Sequence, residues 1–177
     1  MEAPLVSIVI VCMNRMDNLY PCLEGLRAHT SVPYECFVVA YRFSPENLAK
    51  AQTDFPWVSW VVSDELRGFS ENNNLALRQA RGRYCFVLND DTEMSQDVIG
   101  ALVRDFERLP QDAAIVSPRL LNADGSLQLC GRPPDEHNFR TLTCEINGNS
   151  AAERAARAGD DSHFVLAVVH ETFSLAL

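Results

Sequence analysis

The sequence predicts an α/β fold with a mostly parallel, Rossmann-like sheet that carries helices on both faces. Apolar, β-branched runs alternate with amphipathic segments through about the first hundred residues, in the order βαβαβαβα. The strand candidates are continuous apolar runs, which is typical of strands buried on both faces of a sheet. The chain has 177 residues and is 47% hydrophobic, so it can bury the core of one domain.

The first two strand–helix units are the most regular. Residues 5–11 form the first predicted strand, and Asp17 is the predicted cap of the helix that follows it. Residues 35–41 form the second strand. Ser44 and Pro45 then favour the start of a short helix, with serine as cap and proline at the first helical position.

Two further units complete the pattern. Residues 57–62 form the third predicted strand, and Ser70 is expected to cap a helix that ends at Gly82. Residues 84–88 form the fourth strand, and Ser95 is expected to cap the helix after it. Four consecutive units of this kind predict right-handed crossovers between parallel strands.

The alternation stops in the last quarter of the chain. Residues 132–150 are polar and irregular and predict a loop, residues 151–158 predict a helix, and residues 164–169 predict a final strand. We therefore expect a core over residues 1–131. Residues 132–177 would be an incomplete remainder of the same domain.

Two adjacent aspartates follow the fourth strand. Asn89, Asp90 and Asp91 come directly after five apolar or aromatic residues, at the strand end where open α/β sheets bind ligands. Two neighbouring carboxylates repel each other unless a cation shares the site, and oxygen ligands favour Mg²⁺ or Mn²⁺. Since such ions also bind phosphates, the pair predicts a metal–diphosphate site. A simple turn before the next helix is the alternative.

Charge and composition exclude several other classes. The net charge of −9 argues against broad nucleic-acid binding. The six cysteines form no C-x-x-C pair, and the four histidines have no zinc spacing. The apolar run at residues 5–13 is too short to span a bilayer. We expect a cytoplasmic protein, and leave open contact with the inner face of the membrane and homo-oligomer formation.

Four segments, taken in order, resemble the family 2 glycosyltransferases, which have the GT-A fold. They are residues 6–11 with Asn14 after them, residues 67–76, residues 88–93, and residues 117–128. The last segment is similar to a rhamnosyltransferase-like subgroup of polysaccharide assembly. The resemblance covers roughly residues 5–132.

The resemblance implies an inverting, metal-dependent transfer of a hexosyl or rhamnosyl group from a nucleoside diphosphate-sugar to a saccharide or lipid-linked acceptor. Asp91 would be the main ligand of Mg²⁺ or Mn²⁺, and Asp90 would support the metal or the ribose. Asn89 takes the first position of the family's D-x-D motif. The leaving diphosphate gains charge, so a cation is required to neutralise it. The acceptor hydroxyl must lose its proton, so a carboxylate base is also required.

Three more residues are implied in donor binding. The loop with Asn14 would touch the nucleotide, and Arg67 would reach the diphosphate as a forked donor. Asn73 would lie in the first turn of a helix, where free N–H groups favour anions. For each of them a structural role is the alternative: a turn, a solvated arginine and a second helix cap.

Two departures weaken the resemblance. The family usually has an aspartate after the second strand that pairs with the base, but this sequence has Ala40, followed by Tyr41, which could stack on a base or pack in the sheet. The acidic base of the family is not found, and Asp160, Asp161 and Glu171 remain open as substitutes. The chain thus looks truncated before the acceptor side. A non-catalytic nucleotide-sugar-binding module is the alternative function, and a nucleotidyltransferase ranks below it for lack of a glycine-rich loop.

Overall fold

A computed structural model describes residues 3–109, 115–118, 141–144, 153–154 and 168–169. Strands and helices alternate strictly through the first nine elements. The elements are β1 (Val6–Cys12), α1 (Met16–His29), β2 (Tyr34–Tyr41), α2 (Pro45–Asp54), β3 (Ser59–Ser63), α3 (Phe69–Leu77), β4 (Tyr84–Asn89), α4 (Val98–Phe106), β5 (Ile115–Pro118), β6 (Thr141–Cys144), β7 (Glu153–Arg154) and β8 (Val168–Val169).

The main sheet is mostly parallel, as predicted. Its strand order is β3-β2-β1-β4-β8, in which the first four strands are parallel and β8 is antiparallel to β4. The chain builds outward from β1 to β3 and then returns to place β4 on the other side of β1. The gap between β1 and β4 is therefore the topological switch point, where open α/β sheets bind ligands at the carboxyl ends of their strands.

Helices cover both faces of this sheet, which confirms the fold class. Because side chains alternate along a strand, Ile8 and Ile10 lie on one face and Val9 on the other. The first face packs against α1, α2 and α4 in the larger apolar cluster. The second face packs against α3 through Val9, Phe37, Val39 and Ala76.

The predicted helix caps are right for one helix and wrong for three. Ser44 accepts a hydrogen bond from the Asn47 N–H (3.2 Å), with Pro45 as the first helical residue, as expected. Helix α1 begins at Met16 without a side-chain cap, so Asp17 lies in its first turn. Helix α3 begins after Gly68 rather than Ser70, since Glu71 reaches back to accept from the Gly68 N–H (2.8 Å).

The cap of α4 depends on a contact that is distant in sequence. Asp97, not Ser95, accepts a hydrogen bond from the Gly100 N–H (3.0 Å) and a second one from the Ser31 hydroxyl (2.6 Å). Ser31 lies between α1 and β2. The helix therefore begins where the Asp97 carboxylate can join both elements, two residues later than Ser95 would allow.

Gly82 does not end a helix, because α3 ends at Leu77. A Cβ atom at Gly82 would lie 2.5 Å from the Ser7 backbone nitrogen and 2.7 Å from the Val6 carbonyl carbon. Glycine is required here because the chain passes so close to the backbone of β1 that no side chain fits between them.

Strand pairing shows that two predictions for the last quarter of the chain are wrong. Thr141–Cys144 forms β6 within the predicted loop, and Glu153–Arg154 forms β7 within the predicted helix. β6 pairs with β5 and β7 with β6, and such tertiary pairing overrides helix propensity. The predicted final strand is confirmed at Val168–Val169. The remaining predictions for residues 132–177 lie outside the described residues.

Candidate functional site

The two aspartates lie beside the switch point. Asn89 ends β4 and stands in register with Val11 of β1, so Asp90 and Asp91 emerge next to the loop that follows Cys12. Both strands are parallel, and their carboxyl ends share one edge of the sheet. The sequence motif and the topology therefore indicate the same place.

Asn89 orients the second aspartate. Asn89 is buried, and its side-chain amide donates to Asp91 Oδ1 (3.2 Å). The Asn89 carbonyl accepts from the Thr92 N–H (3.4 Å), which closes the turn. Asp91 is exposed and Asp90 is half-buried. These residues can therefore form a turn and also serve as a metal site, since the turn presents the Asp91 carboxylate to solvent.

Asp90 lies in an environment that disfavours its charge. Burial raises the pKa of Asp90, and the charge of Asp91 raises it further, while the Cys12 thiol and the Arg15 guanidinium oppose these effects. Burial, with the same two carboxylates, also raises the pKa of Cys22 to about 12. Burial, followed by Asp90, raises the pKa of Cys12 as well. Both thiols are therefore protonated near neutral pH and are unsuited as nucleophiles.

The site fits a hard divalent ion that shares its ligands with a substrate. Two oxygen donors are available, and a cation would relieve the repulsion between Asp90 and Asp91. Across the residues that the structure describes, no group of three or more His, Cys, Asp or Glu side chains could hold one ion. The protein would supply one or two carboxylates and leave the other positions to phosphate and water, as Mg²⁺ sites commonly do.

Helix α1 supports the loop that carries these carboxylates. The Cys22 thiol donates to the Asn89 carbonyl (3.5 Å). A Cβ atom at Gly25 would lie 2.9 Å from the Met94 carbonyl oxygen, so glycine lets the loop rest directly on the helix. The sequence reasoning missed this pair, and the only signal for it is a glycine in the middle of a helix.

Asn14 links the first loop to the start of α2. Its backbone is left-handed, with φ of 55°, a conformation that asparagine tolerates better than most residues. Asn14 Oδ1 accepts from the Ser44 N–H (3.1 Å) and from the Asn47 side-chain amide (2.9 Å). The side-chain oxygen of Asn14 is thus committed to contacts within the protein.

Arg67 lies at the other side of the same edge, after β3. Its guanidinium forms an ion pair with Glu65, and its backbone N–H donates to the Tyr41 hydroxyl (3.4 Å). Tyr41 is buried and packs in β2, which favours the packing role over free stacking on a base. Three strand spacings of about 4.8 Å separate β3 from β4, so Arg67 is distant from the aspartates in this arrangement.

Asn73 and its neighbour Asn72 are both buried in α3. Because α3 begins at Phe69, Asn73 is its fifth residue, and the prediction that it lies in the first turn is wrong. The Asn73 amide donates to the Phe69 carbonyl (2.9 Å), and its Oδ1 has no hydrogen-bond partner within the described part of the chain. Asn72, which the sequence reasoning did not select, accepts from the Ser63 hydroxyl (2.7 Å) and donates to the Gly68 carbonyl (3.2 Å). Asn72 therefore fixes the loop between β3 and α3.

Ala40 forms part of an apolar floor under the edge. It is fully buried and stands in register with Cys12, whose thiol lies beside Asp90. Its side chain offers no hydrogen-bond acceptor, as the sequence indicates. Base recognition by a side chain at this position is therefore absent.

The fold and site define a Rossmann-like α/β domain with an acidic ligand site at its switch point. The sequence matches the family model described as "Glycosyl transferase family 2" over residues 7–150, so the chain belongs to that family. The family predicted from the sequence motifs is thereby confirmed. A search of curated proteins gave no match.

A solved structure shows the same GT-A fold. The match is to "Mannosyltransferase PcManGT from Pyrobaculum calidifontis in complex with GDP-Man and Mn2+", with a TM-score of 0.57 and 18% sequence identity. The alignment covers 69% of this chain and 37% of that chain, so the present chain corresponds to little more than a third of its neighbour. Within the described residues, no helix has the length and apolar character needed to cross a membrane.

Proposed function

We propose that the chain binds a nucleoside diphosphate-sugar together with Mg²⁺ or Mn²⁺ and transfers the sugar, with inversion, to a saccharide or lipid-linked acceptor. The observation that carries this proposal is the Asp90–Asp91 pair at the switch point between β1 and β4, in a chain that belongs to family 2. We further propose a cytoplasmic location, in keeping with a nucleotide-sugar donor.

Asp91 is the proposed main metal ligand, because it is exposed and held by Asn89, and half-buried Asp90 supports it. A cation held there would neutralise the charge that develops on the leaving diphosphate. We propose that the backbone around Asn14, together with Arg67 and Asn73, completes the donor site. Arg67 would have to leave Glu65 to do so.

The solved neighbour supports the choice of donor and ion. Its complex contains GDP-Man and Mn²⁺, a nucleoside diphosphate-sugar and a divalent cation. At 18% identity this likeness shows the fold alone, so the sugar is left unassigned. The hexosyl or rhamnosyl character of the transfer rests on the sequence motifs.

Calorimetry with GDP and UDP tests the donor site directly. Binding should require Mn²⁺ or Mg²⁺ and should disappear with a chelator. In Asp91→Ala it should fall by about a hundredfold, the upper end of the loss caused by removing a residue that only supports a metal ligand. Glu93→Ala is the matched control, since Glu93 is an exposed acid in the same loop. Metal-independent binding that survives in Asp91→Ala would refute the proposal.

The second candidate function is a binding module that holds the donor without transferring its sugar. It is favoured by Ala40 and by the described acidic site, which has two adjacent carboxylates and no third. The candidate bases Asp160, Asp161 and Glu171 lie outside the described residues. Release of nucleoside diphosphate from a set of donor sugars, measured with Mn²⁺ in clean protein, would exclude this candidate.

A further inference from the structure

Arg42 has a backbone conformation that arginine seldom adopts. Its φ is 52°, in the left-handed region where a residue with a Cβ costs roughly 1–2 kcal/mol. The conformation is imposed by the β2–β3 ladder, since Tyr41 pairs with Ser63 and the Arg42 N–H donates to the Ser63 carbonyl (2.8 Å). Glycine would satisfy the same backbone without strain. Strain of this kind is commonly retained where the side chain has a function.

The side chain of Arg42 lies at the edge that holds the acidic site. Arg42 directly follows β2, which is two strand spacings, or about 10 Å, from β4 and the aspartates. The side chain is exposed, and its guanidinium makes no hydrogen bond or ion pair with the residues that the structure describes. Arg67, by contrast, is already paired with Glu65. Arg42 thus has five N–H donors available for a ligand.

The surface between Arg42 and the aspartates suits a nucleoside. Met13 follows β1, which lies between β2 and β4, and 57% of its surface is exposed. An apolar side chain in that position can pack against the flat face of a base whose diphosphate is held at β4. Ala40 and Cys12 form the buried floor below it and provide no carboxylate or amide acceptor.

At the end of β2 the exposed side chain of Arg42 therefore offers hydrogen-bond donors, whereas the side chain of Ala40 offers no acceptor. Guanine presents two neighbouring acceptors, O6 and N7, which match the fork of a guanidinium. Adenine has a donor beside its N7, and uracil presents the single acceptor O4 on the corresponding edge, so neither base offers two neighbouring acceptors to the fork. We propose that Arg42 is a specificity-determining residue of the donor site and selects a guanine nucleotide by forked donation to O6 and N7. This inference depends on the donor site proposed above.

Binding of GDP, UDP and ADP to the whole chain in the presence of Mn²⁺ tests the selection. The wild type should bind GDP about tenfold to a hundredfold more tightly than UDP or ADP, which corresponds to one forked arginine–guanine contact. Arg42→Gly should bring the three affinities together while the melting temperature stays the same or rises, because the left-handed strain is gone. If Arg42 had only a structural role, Arg42→Gly would leave the ratios of the GDP affinity to the UDP and ADP affinities unchanged.

Arg42→Lys separates the fork from the charge. Lysine keeps the charge but not the planar fork, so the preference for GDP should be lost in this variant as well. Arg83→Lys, at the opposite edge before β4, is the control and should bind as the wild type does. Retained selectivity in Arg42→Lys, or a wild type that binds all three nucleotides equally, would overturn the assignment and leave the proposed donor site standing. Failure of every nucleotide to bind would overturn both.

Discussion

At the amino edge of the parallel sheet, Ser7, Glu35 and Arg81 pair in one hydrogen-bond network. The carboxyl edge, by contrast, presents strained backbone and charged side chains to solvent. The Ser7 hydroxyl donates to Glu35 (2.7 Å) and accepts from the Gly82 N–H (2.8 Å). Two guanidinium nitrogens of Arg81 donate to the other Glu35 oxygen (2.8 and 3.1 Å). This network joins β1, β2 and the chain before β4.

The carboxyl edge shows the opposite pattern. Asn14 and Arg42, the non-glycine residues with positive φ among those described, both lie there. So do the exposed large apolar side chains of the described residues, namely Met13, Val62, Leu66 and Phe69. The pKa of Asp90 is raised at the same edge by burial and by Asp91. One edge therefore stabilises the sheet, whereas the other retains strained backbone, charge and exposed apolar surface of the kind that marks functional sites.

Gly82→Ala should have the largest effect on stability, because it drives a methyl group into the backbone of β1 at the amino edge. We expect the free energy of unfolding to fall by about 3 kcal/mol, at the upper end for an overpacked site. Urea denaturation measures this loss. Gly68→Ala is the control, since its Cβ would meet only a Glu71 oxygen at 3.7 Å, and it should cost less than about 1 kcal/mol. Equal effects of the two substitutions would show that the amino edge is not rigid.

Glu35→Gln should have the next largest effect, and this effect should depend on pH. Burial alone would raise the pKa of Glu35, but hydrogen bonds from Ser7 and Arg81 outweigh burial and hold that pKa below its ordinary value of 4.5. The unfolded chain therefore takes up the proton at a higher pH than the folded chain. The stabilisation is complete above about pH 4.5 and is lost as the pH falls through the lower, folded pKa.

Melting curves between pH 3 and pH 7 check this expectation. At pH 7 the variant should be less stable than the wild type by about 2 kcal/mol, the usual range for hydrogen bonds to a charged group. The difference should shrink towards the acid end. Glu24→Gln, at an exposed position of α1, should show no such trend. A difference that stays constant with pH would mean that the Glu35 charge does not stabilise the amino edge.

The strands and the acidic site were predictable from the sequence because both are local in sequence. Strands buried on both faces read as unbroken apolar runs, so β1, β2 and β4 were found within a residue or so. The aspartates follow such a run directly, and parallel topology alone places them at the ligand-binding edge. The Ser44–Pro45 helix start was found for the same reason, since its cap bond spans three residues.

The features that were missed depend on contacts between distant parts of the chain. The Asp97 cap is chosen by Ser31, which lies 66 residues earlier, and β7 exists through its pairing with β6. Gly25 matters only because Met94 rests against it. Arg42 carries no signal in the sequence, since its left-handed backbone is set by the pairing of β2 with β3. Local patterns cannot encode these constraints, because each one appears only when the sheet has formed.

Asn14 should give the smallest effect, and two substitutions there separate strain from hydrogen bonding at the carboxyl edge. Asn14→Gly removes the bonds to Ser44 and Asn47 but keeps a residue that accepts the left-handed backbone, so we expect a loss of about 0.5 kcal/mol. Asn14→Ala removes the same bonds and adds the left-handed penalty, for a loss of about 1.5 kcal/mol. Urea denaturation of both variants gives the difference. If alanine and glycine cost the same, the positive φ at this edge carries no strain, and the contrast between the two edges would then depend on charge and exposed apolar surface alone.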